Sequence, residues 1–65
     1  MINYEPLFRT MEKKNITTYK LFKMGFPKST YYAMKNGKSV LVSTIGRLCT
    51  LLECNVSDII EFEPE

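Results

Sequence analysis

Residues 25 to 38 read GFPKSTYYAMKNGK, and the helix breakers in that stretch set the scale of everything around it. Pro27 has no N–H to donate and its ring clashes with a preceding helical turn, so it is admitted at the cap or first turn of a helix but not within one. Asn36 and Gly37 are the residue types that close a helix in the left-handed conformation. Between these marks there is room for one short helix, about 28 to 35. Gly25 ends whatever helix precedes it, and only Phe26 and Pro27 separate the two. Two short helices joined by a tight, glycine-containing turn form a helix-turn-helix unit, here over about residues 17 to 36.

The flanking segments supply more helices. Tyr4, Leu7, Phe8 and Met11 fall at i, i+3, i+4 and i+7, one apolar stripe on a helix of about 5 to 14, with Pro6 suited to its first turn. Lys13 and Lys14 place positive charge at its C-terminal end, and Asn15 is the expected stop. In ITTYKLFKMG, Thr17 is a candidate N-cap with Leu21 and Phe22 pointing inward. Ser43 is the candidate cap of a fourth helix whose stripe is Ile45, Leu48, Cys49 and Leu52, with Leu51 also inward. Gly46 inside it costs ~1 kcal/mol relative to alanine, which reads either as a close approach by a neighbouring helix or as simple tolerance. Asn55 breaks the helix, and Ser57 is expected to cap a last short turn that begins at Asp58. At the ends, INY and EFEP alternate. Ile2 with Tyr4, and Ile60 with Phe62, either face the helices as a pair of short strands or belong to frayed tails.

A chain of 65 residues buries only about 60% of the surface it exposes when unfolded, so its apolar side chains share one core. The expectation is a single all-α domain over residues 1 to 65, with 45% hydrophobic and 25% charged residues in ordinary globular proportion. Charge is uneven. From Lys13 to Leu52 there are seven lysines and Arg47 and no acid, although the whole chain is only +2. A basic surface for a polyanion explains that layout better than a solvated lysine face. Cys49 and Cys54 would lie about 140° apart around a continuous helix, so they read as reduced core residues rather than a disulfide or a metal pair. There is no histidine to complete a zinc site. No metal, cofactor or small-molecule ligand is expected. An enzyme is disfavoured, because the acids cluster in the tail and no nucleophile has an evident base beside it. The opening MINYEPLFRTME lacks a basic start and apolar run, and no stretch approaches a membrane span, so a cytoplasmic location is expected.

Tyr31 and Tyr32 cannot both face one core. On a helix Tyr31 pairs with Met34 as i, i+3 neighbours and packs inward. Tyr32 shares its face with Lys28, Ser29, Lys35 and Asn36. That face offers cations, a hydroxyl, an amide and a ring, groups that suit phosphates and base edges.

GFPKSTYYAMKNGK resembles the recognition segment of the Cro/C1-type (XRE-like) helix-turn-helix family: Gly25, Phe26, Thr30, Tyr31, Met34, Asn36 and Gly37 occupy the family's characteristic places. The similarity extends over about residues 5 to 60, and LLECNVSDII looks like the family's last two helices. What the resemblance implies is a compact five-helix, lambda-repressor-like domain of the kind found in small stand-alone bacterial and phage regulators. Such domains bind double-stranded DNA with the third helix in the major groove and the second across the backbone. By position, the base-contacting candidates are Lys28, Ser29, Tyr32 and Ala33, and the phosphate-contacting candidates are Thr17, Thr18, Lys35, Asn36, Lys38 and Ser43, with Lys20 and Lys23 adding general attraction. Pro27 stands where the family commonly has a Ser or Thr cap, and the second helix is one residue short of the usual count. The implied function is a sequence-specific transcriptional regulator, a repressor acting as a homodimer. The alternative is a helix-turn-helix module that binds protein, such as an antitoxin or phage regulatory partner, which an acidic or apolar third helix would have favoured. RNA is disfavoured, since no exposed aromatic sheet or glycine-rich clamp is evident.

Overall fold

The computed structural model describes residues 2 to 64. In chain order the elements are β1 (Ile2–Asn3), α1 (Glu5–Lys13), α2 (Thr18–Lys23), α3 (Lys28–Lys35), α4 (Val42–Leu52), a 3-10 turn (Val56–Asp58) and β2 (Glu61–Phe62). The mainly helical architecture agrees with the sequence reading, but the described residues form four α-helices rather than five. The segment expected to form the fifth is one 3-10 turn, too short for α-helical bonding. Its cap is Asn55 and not Ser57: the Asp58 carboxylate accepts the Asn55 N–H at 3.0 Å while the Asn55 side chain is held by the Asp58 backbone, a reciprocal capping box.

All four helices stop in the same way. Asn15, Gly25, Gly37 and Glu53 have positive φ, from 51° to 98°. The N–H of the residue after each then returns to the carbonyl five positions back. Ile16 donates to Met11 at 2.8 Å, Phe26 to Leu21 at 3.4 Å, Lys38 to Ala33 at 2.9 Å and Cys54 to Cys49 at 3.0 Å. This is the Schellman closure, which satisfies an end carbonyl and brings together the two side chains that flank the bond. Three of the pairs, Met11 with Ile16, Leu21 with Phe26 and Cys49 with Cys54, lie in or against the core.

The same closure corrects the expectation that Cys49 and Cys54 stay apart. The helix ends at Glu53, before Asn55, and the left-handed turn swings Cys54 back over the last helical turn. Both thiols are free and half-buried at the core's edge. Burial, reinforced by Cys49 and Asp58 and opposed by Lys14, raises the Cys54 pKa. Its thiol therefore stays protonated and weakly nucleophilic at neutral pH.

The core brings together Tyr4, Leu7 and Met11 of the first segment, Leu21 and Phe26 around the turn, Tyr31 and Met34 of α3, the α4 stripe Ile45, Leu48 and Leu52, and Ile59. Side chains and backbone fasten the chain ends to it. The Leu7 N–H donates to the Ile59 carbonyl at 3.2 Å, and the Thr10 hydroxyl to the Asp58 carbonyl at 2.7 Å. The terminal strands do pair, antiparallel, with Ile2 opposite Phe62 and Asn3 opposite Glu61. Phe62 is nevertheless exposed, because β2 begins only at Glu61 and the alternation does not carry through from Ile60.

Two readings of α4 change. Leu41, without a side-chain cap, is the N-cap, and its carbonyl accepts the Thr44 and Ile45 N–H groups; Ser43 lies inside the first turn. Apart from its chain neighbours and its own helix backbone, no atom lies within 4 Å of where a Cβ on Gly46 would stand, so no neighbouring helix requires that glycine.

Glu53 is a carboxylate at the negative end of α4 in a conformation that suits glycine. Glu53→Gly is expected to stabilise the domain by ~1 kcal/mol, measured as a higher midpoint in urea. An unchanged or lower midpoint would show that the left-handed Glu53 carries no net cost.

Candidate nucleic-acid interface

The α2–α3 unit is built from local rules. Thr17, extended at φ −78°, caps α2 by accepting the Lys20 N–H on its hydroxyl at 3.1 Å. Gly25 at φ +98° makes the turn, and Phe26 beyond it is buried. The Arg47 guanidinium, from α4, donates to the Gly25 carbonyl at 3.3 Å and so ties the turn to the scaffold. Pro27 is the N-cap of α3 at φ −64°, the angle its ring enforces, and gives no side-chain cap to the first-turn N–H groups. The N-terminal end of α3 therefore keeps its positive dipole end with Lys28 beside it.

Rotation about α3 then sorts its residues. Tyr31 and Met34 are buried, Ala33 is half-buried, and Lys28, Ser29, Tyr32, Lys35 and Asn36 are exposed. The adjacent tyrosines divide as the spacing required, Tyr31 at 4% exposure and Tyr32 at 52%. They also touch. Their rings meet edge to face at 5.4 Å, Phe8 and Phe22 meet Tyr31 at 6.0 and 5.6 Å, and Phe22 lies 6.1 Å from Tyr32. Pairs of this geometry contribute beyond the area they bury, so the exposed ring is held in place by the buried one.

The other candidate residues spread around this face. Thr17 is exposed at the start of α2, whereas Thr18 is half-buried and lines the crevice with Phe8 and Tyr31. The Lys35 ammonium lies over the Phe8 ring at 5.2 Å and the Tyr31 ring at 6.0 Å, on the α1 side of α3. Asn36 and Lys38 are exposed after α3, and the Lys38 carbonyl accepts the Tyr4 hydroxyl at 2.7 Å, which pins that connection to the start of α1. Ser43 is exposed in the first turn of α4. Ser29 and Ala33 line one shallow groove with Val40 and Leu41. Lys28 and Tyr32 line another with residues of α2.

One residue that shapes this face is not legible in the sequence except as charge: the contact of Arg47 with Gly25, far away in the chain, leaves no local signal. Phe26, which the family resemblance includes, has a local reason to be buried, since an apolar residue just after a helix-closing glycine is where the Schellman closure places a core contact.

A larger open concavity of about 770 Å³ lies elsewhere, where Lys13 and Lys14 meet Cys49, Cys54 and Asp58. Among the described residues no three histidine, cysteine or carboxylate groups come together to hold a metal ion.

A short two-helix unit, a turn glycine tied from α4, and a basic, polar third-helix face agree with a match to the model of one family, the Cro/C1-type helix-turn-helix DNA-binding domain, over residues 7 to 65. The chain belongs to the Cro/C1-type helix-turn-helix family. Comparison with curated proteins and with solved structures returned no match. Membership makes this a DNA-binding domain, and none of its described helices is long and apolar enough to cross a membrane. In this Cro/C1-type domain α2 and α3 are joined by the turn at Gly25, and the aromatic cluster joins α3 to α1 and α2.

The burial of Tyr31 makes a prediction about the domain itself. Tyr31→Ala removes the ring on which Phe8, Phe22 and Tyr32 all rest, with an expected loss of ~3–5 kcal/mol measured by denaturant melts. That is comparable with the whole stability of a domain of this size. A fully stable Tyr31→Ala protein would overturn its role as the hub of the cluster.

Proposed function

We propose that this Cro/C1-type domain is a sequence-specific transcriptional regulator that represses by occupying its operator, with α3 in the major groove and α2 across the phosphate backbone. The observation that carries this reading is the face of α3, where Lys28, Ser29 and Tyr32 stand exposed beside Ala33 on a helix anchored by Tyr31 and Met34. Lysine donates to guanine O6 or N7, serine pairs with several base edges, and the alanine methyl contacts a thymine methyl. Thr17, Thr18, Lys35, Asn36, Lys38 and Ser43 are the proposed phosphate contacts, flanking that face on both sides. Their positions suit a helix crossing the backbone and a connection that follows α3 along it.

The proposed active form is a homodimer. One module of this size covers about 600–1,000 Å² on DNA, and two copies on half-sites about 34 Å apart bring the contact into the range of specific complexes. The decisive experiment is selection of bound duplexes from a random pool. A palindromic winner is the expected result, and no enrichment of any sequence would refute specific DNA recognition.

Two substitutions separate the roles. Lys28→Ala and Tyr32→Ala are each expected to weaken the selected duplex by about 1–3 kcal/mol while circular dichroism stays unchanged; unaltered affinity in both would remove α3 from base recognition. Lys38→Ala is expected to weaken all duplexes alike and to lower the slope of log affinity against log salt by about one. A loss confined to one sequence would contradict a phosphate role.

A further inference from the structure

On the α2 side of Tyr32 the surface holds a feature that phosphate and hydrogen-bond chemistry do not use. Tyr19, Phe22 and Tyr32 wall a shallow groove whose remaining lining is Lys23 and Lys28. Tyr19 is 68% exposed, far more than an aromatic ring in a core. The Lys23 ammonium sits 5.3 Å from the Tyr19 ring centre and that of Lys28 5.7 Å from Phe22, so cations rim an apolar floor. No acid lines the groove. Its complement is apolar at the centre and anionic at the margin. The major groove of DNA offers that combination at a thymine, whose C5-methyl group projects between the flanking phosphates.

We propose that the Tyr19–Phe22–Tyr32 groove receives a thymine methyl group and makes a thymine specificity-determining in each half-site, with Lys23 holding the neighbouring phosphate and Lys28 left to the adjacent base edge. This rests on the DNA-reading role of α3 and goes beyond it, because it adds two residues of α2 to the reading surface and names the base. Tyr32 and Lys28 belong both to the groove and to the exposed face of α3. A thymine edge presented to that face therefore meets the rings without any movement of the helices. The expected signal is specific to one methyl group. Neither a general phosphate contact nor a hydrogen bond to a base edge responds to its removal.

The experiment starts from the duplex selected by the wild-type protein and replaces each thymine in turn by uracil, which deletes the methyl group and leaves the hydrogen-bonding edge intact. Besides any thymine whose methyl Ala33 touches, one position per half-site is expected to lose about fourfold in affinity, the worth of one buried methyl group, and to do so only while Tyr19 is present. In Tyr19→Ala, checked for folding by circular dichroism, the thymine-to-uracil ratio at that position is expected to fall to about one, and Tyr19→Phe is expected to retain it. A selected duplex that shows no loss at any uracil, or a ratio unchanged in Tyr19→Ala, overturns the groove while leaving DNA recognition by α3 standing. Failure to select any duplex overturns both.

Discussion

The constraint on which the molecule depends is the left-handed residue that ends each helix. In a chain this short no described helix exceeds 11 residues, so end carbonyls are a large share of all backbone acceptors and each one left unsatisfied counts. The answer is one repeated device at Asn15, Gly25, Gly37 and Glu53. Each closure reverses the chain within two residues and presses the following side chain back onto the helix it has left. At Gly25 that side chain is Phe26, which becomes part of the core, and the short step to Pro27 then starts α3 with no room for drift. The angle between α2 and α3 is thus fixed by local backbone chemistry and reinforced from a distance by Arg47 on the Gly25 carbonyl.

A second layer of order comes from rings. Tyr31 is the point where α1, α2 and α3 meet, with Phe8 on one side, Phe22 on another and Tyr32 stacked edge-on beside it. Stability and surface presentation are therefore coupled. The ring that holds α3 on the domain also holds the exposed ring that α3 displays. Lysines lean on the same cluster, which places positive charge around an aromatic surface rather than scattering it through solvent.

Much of this was legible along the chain because it is written in short-range rules. The capping hydroxyl of Thr17, the stop at Asn15, the breakers Gly25, Pro27 and Gly37, and the division of Tyr31 from Tyr32 all follow from spacing and residue type. The same rules explain what was misread. Glu53 is not a residue type that announces a left-handed stop, so α4 was expected to run on to Asn55, and Cys54 was placed on the wrong side of a helix it had already left. Ser43 and Ser57 look like caps, yet the backbone begins α4 earlier and gives the last turn to Asn55, whose side chain and that of Asp58 each accept the other residue's backbone N–H. The family's usual last helix was expected from pattern, whereas the residues between Asn55 and Ile59 hold only one 3-10 turn.

By itself the sequence determined the helix boundaries around the turn, the basic block without acids, and which tyrosine faces outward, because each is set by neighbours within a few residues. The tertiary structure alone decided what those elements meet. It placed Arg47 on the turn, Tyr4 on the connection after α3, Ile2 beside Phe62, and the α2 rings beside Lys28 and Tyr32. These contacts join residues far apart in the chain. They arise from packing helices around one core, and no local periodicity encodes them.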